Sequence, residues 1–141
     1  MAFRHVIRVG WGDCDPAKIA YTGRIPTWAL ESIDAWWEAH LDGAGWYQME
    51  LDRGFGTPFV NMQLDFRHPI TPRHRLVCET VPVRLGTKSV TFQVRGFQDE
   101  TLCFEGQFTS VFIDTDWFGS RTPPPEVREL LDRMMPEPVA R

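Results

Sequence analysis

Residues 22–42, Thr22-Gly23-Arg24-Ile25-Pro26-Thr27-Trp28-Ala29-Leu30-Glu31-Ser32-Ile33-Asp34-Ala35-Trp36-Trp37-Glu38-Ala39-His40-Leu41-Asp42, carry the one long helical pattern in the chain. Ala29, Ile33, Trp36, Trp37 and then His40 or Leu41 recur at helical spacing, which predicts a helix from about Gly23 to Asp42 with one wide apolar face. Thr22 is set to cap it, and Pro26 is tolerable because it lies in the first turn. Gly43 and Gly45 end it. A shorter helical piece is expected from Trp46 to Arg53.

The segments on either side read as strands. Phe3, His5, Ile7, Val9 and Trp11 alternate with Arg4, Val6 and Arg8, a period of two that runs into the turn formers of GDCDP. Downstream, Val60, Met62, Leu64 and Phe66 alternate with Asn61, Gln63, Asp65 and Arg67. Further strands are expected over 76–85, where Pro82 marks a bulge or an edge, then through Val90, Phe92 and Val94, then from Leu102 to Asp114. Gly86 and the pair Asp99-Glu100 supply short turns, so these last three should form an antiparallel meander. SRTPPPEV opens a terminal helix whose Val127, Leu130, Leu131 and Met134 share a face. One sheet with one long helix to cover it predicts an α+β chain in which the sheet curves around the helix, the hotdog architecture, as a single domain over 1–141. Its uncovered edges predict a homodimer or homotetramer.

Composition narrows the function. A net charge of −4 is unfavourable for a nucleic-acid partner. The three cysteines, Cys14, Cys78 and Cys103, are odd in number and far apart, as expected of thiols in a reducing compartment rather than of a zinc knuckle or redox dithiol. The N-terminal residues alternate rather than forming an apolar run, so neither a signal peptide nor a membrane partner is expected, and the cytoplasm is the default location.

The chemistry concentrates in Gly12-Asp13-Cys14-Asp15-Pro16-Ala17-Lys18-Ile19-Ala20-Tyr21, just ahead of the helix. The residues by themselves leave two readings of the aspartates open. They can close the turn by hydrogen bonds to nearby backbone N–H groups. Alternatively, Asp15 can attack a carbonyl, or activate water against it, while the helix N-terminus stabilises the developing oxyanion. A divalent metal needs more oxygen ligands than this stretch offers, so no metal is expected. No histidine is spaced for a serine or cysteine nucleophile, and Cys14 stands between two negative charges that oppose a thiolate.

GDCDPAKIAY, Trp28 and Gly56-Thr57-Pro58 resemble the 4-hydroxybenzoyl-CoA thioesterase family, whose pattern is GDCDPAGIVWYPNYHRW followed by GTP. The order of elements agrees over nearly the whole chain. The resemblance implies an acyl-CoA thioesterase that needs no cofactor, with Asp15 as its catalytic carboxylate. It also implies that the backbone N–H of Thr22 polarises the thioester carbonyl, a role independent of the side chain. Tyr21 and Trp28 are candidates to line the acyl pocket.

Several departures from the family shape the expectation. Lys18 replaces a glycine. Leu30 stands where the family has an aspartate that recognises a phenolic hydroxyl, so an apolar acyl or aryl group is expected in place of 4-hydroxybenzoyl. The family's basic RRKS turn becomes Gly86-Thr87-Lys88-Ser89, leaving Lys88 and Ser89 as the implied contacts to the CoA nucleotide. Arg67, Arg73 and His74 are further basic candidates. Glu31, on the long helix, is the fallback carboxylate. The alternative to an enzyme is a non-catalytic acyl-CoA or acyl-carrier binding module on the same fold.

Overall fold

The computed structural model describes residues 2–136. A first strand, β1 (Phe3–Ile7), is followed by a 3-10 turn at Trp11–Asp13, the long helix α1 (Arg24–His40) and the short helix α2 (Trp46–Asp52). Then come β2 (Phe55–Gly56), β3 (Phe59–Phe66), β4 (Leu76–Leu85), β5 (Ser89–Gln98), β6 (Thr101–Val111), β7 (Ile113–Asp114) and α3 (Pro125–Met134). Five strands form one sheet in the order β1-β4-β5-β6-β3, all neighbours antiparallel, while β2 and β7 pair separately. The sheet carries α1 against its inner face, as the hotdog fold requires.

Aromatic packing decides how α1 seats. Ala29, Ile33, Trp36 and Trp37 are buried to within 1% of full burial. The rings of Trp36 and Trp37 meet Phe92 of β5 edge-on, with centroids 5.0 and 5.8 Å away. Each such buried side chain contributes roughly 1.5–3 kcal/mol relative to exposure, so the apolar face outweighs the helix's modest intrinsic propensity. Gly96 is required where the β5–β6 register shifts, because a Cβ there would collide with the Phe104 ring. The β5–β6 hairpin turns on Asp99, held at φ 53°.

The structure corrects the expected bounds at three points. β1 ends at Ile7, and the 3-10 turn rotates Trp11 out of the inner face to 75% exposure. Thr22 does not cap α1: Gly23 occupies the N-cap, and no side-chain cap accepts from the first-turn N–H groups. The last strand breaks at Phe112, whose N–H donates to Lys88 O, so Ile113 and Asp114 leave the sheet to pair with β2. Pro82 behaves as expected. It sits at a bulge in β4 just past Thr80, where pairing with β1 ends and its missing N–H is harmless.

The edge strand β3 is covered least. Met62 and Phe66 are cross-strand partners of the core residues Phe108 and Phe104, yet they remain 51% and 53% exposed. α1 does not reach that far across the sheet.

Candidate active site

Between β1 and α1 the chain forms a narrow loop. Asp15 N–H donates to Ile19 O at 3.0 Å, Cys14 bridges to Ala20, and Tyr21 N–H donates to Asp13 O at 2.8 Å. Ala20 N–H donates to Ile70 O at 2.8 Å, which ties the loop to the segment entering β4. Lys18 adopts φ 67°, the left-handed conformation that favours glycine. The loop thus keeps a glycine-like shape without the glycine.

The two aspartates divide the work that the sequence left open. Asp13 is committed on both oxygens: Oδ2 accepts from Gly10 N–H at 2.8 Å, and Oδ1 lies 3.2 Å from Arg24 Nε at the start of α1. Asp15 Oδ1 accepts from Ala17 N–H at 2.8 Å, closing the turn. Its Oδ2 has no hydrogen-bond partner among the described residues, and Asp15 lines an open crevice of about 510 Å³ with Trp11, Cys14 and Pro16. The turn-closing contact thus occupies Oδ1 alone and leaves Oδ2 facing the crevice without a protein partner among the described residues.

At the entrance of α1, neither the Thr22 nor the Gly23 N–H donates to the protein among the described residues. Thr22 lines a separate crevice of about 290 Å³ with Ile25, Phe66, His68 and Ile70. Asp15 and Thr22 thus flank one loop but open on different cavities within a single chain.

The remaining candidates lie apart. Tyr21 is 59% exposed, and its ring covers Gly23 so closely that a Cβ there would sit 2.7 Å away. Trp28 is buried in the core. Leu30 lines a cavity of about 660 Å³ between α1, α2 and the start of β3, together with Asp34, Trp46, Thr57 and Phe59. Two buried polar atoms of that cavity's residues, Trp46 Nε1 and Thr57 Oγ1, have no partner among the described residues. Sequence reasoning did not single out Thr57, whose only signal was its place in Gly56-Thr57-Pro58. Lys88 is exposed in the hairpin between β4 and β5, where Gly86 N–H donates to Ser89 O.

Other groups are accounted for structurally. Glu31 Oε2 lies 2.7 Å from His5 Nε2 and joins α1 to β1. His40 stacks on Trp36. Burial pushes the Cys78 thiol up to about 12, with Ser32 opposing and Glu31 adding to the shift. Among the described residues, no three His, Cys, Asp or Glu side chains converge as a metal site would.

Comparison with known proteins gives a consistent picture. The model of the thioesterase-like superfamily matches residues 9–131. A crystal structure of a thioesterase superfamily protein from Jannaschia sp. CCS1 shares 55% identity, covers 96% of this chain and 94% of its own, and superposes with a TM-score of 0.94. A 1,4-dihydroxy-2-naphthoyl-CoA thioesterase from Synechocystis has the same fold at 17% identity, with a TM-score of 0.82 over 94% of this chain and 96% of its own. A DHNA-CoA thioesterase from Staphylococcus aureus also has it, at 16% identity and a TM-score of 0.82 over 92% of this chain and 88% of its own. No curated protein matches the chain.

Proposed function

The chain belongs to the thioesterase-like superfamily, and on that premise we propose that it hydrolyses the thioester of an apolar acyl- or aryl-CoA with Asp15 as the reacting carboxylate. The observation that carries this reading is the uncommitted Oδ2 of Asp15 on an open crevice, one loop away from the uncommitted N–H groups at the α1 entrance. The thioester carbonyl would be polarised by the Thr22 backbone N–H, helped by the helix dipole. Asp15 would form a mixed anhydride or act as base for water. The thiolate leaves readily in either case.

Leu30 and its neighbours suit an acyl pocket. The cavity is walled mainly by apolar residues, as an apolar acyl group requires. Neither Tyr21 nor Trp28 lines this cavity; Trp28 would support α1 from within the core. For the carrier's nucleotide, Lys88 and Ser89 stand beyond the far end of β4, a strand of ten residues and hence roughly 30 Å. Any contact they make to this site would come from a second copy.

That second copy is part of the proposal. β3 has a free edge, and Met62 and Phe66 leave apolar surface beside the Thr22 crevice. A homodimer formed across β3 would cover both. Three free thiols suit a reducing cytoplasm, and among the described residues no helix is long and apolar enough to cross a membrane.

The direct test mixes purified protein with a panel of acyl- and aryl-CoAs and follows thiol release. Turnover abolished by Asp15→Asn in a folded variant is the expected result. A non-catalytic acyl-CoA binding module is the second reading, favoured by the separate cavities of Asp15 and Thr22. It would be established by CoA esters that bind without turnover across the panel. Activity retained in Asp15→Asn but lost in Glu31→Gln would move the chemistry to α1.

A further inference from the structure

Three arginines that the proposed chemistry does not use come together at the Asp15 end of the molecule. Arg8, from the segment after β1, meets Arg73 and Arg75, from the loop before β4, around a crevice of about 430 Å³ that Trp11 and His74 also line. Trp11 lines the Asp15 crevice as well, so one indole forms a shared wall between them.

The charges in this crevice are not neutralised from within. Arg4, Arg24, Arg67, Arg95 and Arg121 each pair with a carboxylate. Among the described residues Arg8, Arg73 and Arg75 pair with none, and only His74 has a partner, Asp99 at 3.2 Å. In a chain of net charge −4, three unpaired guanidiniums in one concavity make a local field of the opposite sign.

The loop that presents them is also held still. The buried Gln98 side chain donates from Nε2 to Thr71 O at 2.7 Å and His74 O at 2.8 Å, and its Oε1 accepts from Thr71 N–H at 3.0 Å. This clamp fixes the backbone that carries Arg73 and Arg75, so little ordering cost remains when a ligand arrives. The exposed indole beside the cations offers a face on which a purine can stack. Guanidiniums match phosphate oxygens in charge and in geometry.

We infer that the crevice between Arg8, Trp11, Arg73 and Arg75 is a subsite for a phosphorylated purine nucleotide, the adenosine phosphate end of the coenzyme A carrier. This rests on the reading of the chain as a CoA thioester hydrolase. It assigns the nucleotide to the same chain and the same end of the sheet as Asp15, not to the hairpin of Lys88 and Ser89. A concave site with a stacking face suits a small nucleotide better than an acidic carrier protein, which would need a broad convex contact.

The test is calorimetric titration with adenosine 3′,5′-bisphosphate, which needs no turnover. The wild type is expected to bind it with quenching of tryptophan fluorescence, and Trp11→Ala to lose that quenching. Arg73→Ser and Arg75→Ser should each raise Kd about tenfold while circular dichroism stays native. In turnover, the double variant should narrow the preference for acyl-CoA over the same acyl group on N-acetylcysteamine. An unchanged Kd in both arginine variants, or loss of binding in Lys88→Ala alone, overturns the subsite. So does competition by an acyl carrier protein with no bisphosphate binding. If the wild type binds the nucleotide through these arginines but cleaves neither thioester, the hydrolase reading falls and the subsite stands. If thioesters are cleaved while the arginine variants bind the nucleotide as the wild type does, the reverse holds.

Discussion

Asp34, on α1, accepts a hydrogen bond from the backbone N–H of Trp46 at 2.8 Å, so one helix supplies the side chain that closes the N-terminus of the next. Gly45, the N-cap of α2, brings no side chain of its own and packs against Asp34 and Glu38 so tightly that a Cβ would collide. The cavity lined by Leu30 is built at this junction. Asp34→Ala should therefore lower stability by about 1 kcal/mol, seen as a lower urea midpoint at unchanged m-value. Asp34→Asn, which keeps an acceptor oxygen, should recover most of it. Equal loss in both variants would contradict the capping role.

Thr57 Oγ1 is buried with no hydrogen-bond partner among the described residues. Thr57→Val keeps the shape and removes the hydroxyl, so no unpaired polar group is left behind. Stability should hold or rise by up to about 1 kcal/mol, read as the urea midpoint at unchanged m-value. A clear loss of stability would show that the hydroxyl is satisfied in the folded protein.

Lys18 holds a left-handed conformation that disfavours any residue with a Cβ. Lys18→Gly should raise stability by about 0.5–1 kcal/mol, detectable as a higher Tm. A lower Tm would show that the Lys18 side chain makes a contribution larger than its backbone strain.

The thiols should differ sharply in reactivity. Cys14 is half-exposed, whereas Cys78 and Cys103 are buried and burial raises both, Cys78 to about 12. A disulfide reagent at pH 8 should modify Cys14 in the native protein and the other two only on unfolding. The same shift fixes an alkaline dependence of stability. Above about pH 9 the unfolded chain releases the Cys78 proton and the folded one keeps it, so stability falls as pH rises toward 12. The expected slope is on the order of 1 kcal/mol per pH unit, and Cys78→Ala should flatten it. A slope unchanged in that variant would refute the assignment.

Phe66→Asp should convert a dimer to monomers in analytical ultracentrifugation and reduce turnover with it. A wild type that sediments as a monomer at micromolar concentration would remove the second copy from the proposal.

Much of the fold was legible because its signals are periodic. The face of Ala29, Ile33, Trp36 and Trp37, and the alternation through β3 and β5, each follow from spacing within one segment. Features made by distant partners were not legible. Trp11 continues the alternation of β1, yet the 3-10 turn reverses its direction. The break at Phe112 depends on the Lys88 carbonyl and on β2, neither of which is near in sequence. Asp15 could be named from GDCDPA, but its difference from Asp13 rests on Arg24 and Gly10 occupying one carboxylate and leaving the other partly free. Arg8 and the pair Arg73, Arg75 are more than sixty residues apart, and only the pairing of β1 with β4 makes them neighbours.

Gln98 grips its loop entirely through main-chain atoms of Thr71 and His74. Such a grip is indifferent to which side chains the loop displays. Residues 72, 73 and 75 can be exchanged during divergence while the backbone beneath them keeps its course. With the glutamine kept, the surface this loop displays can be rewritten one residue at a time, without first rebuilding the scaffold.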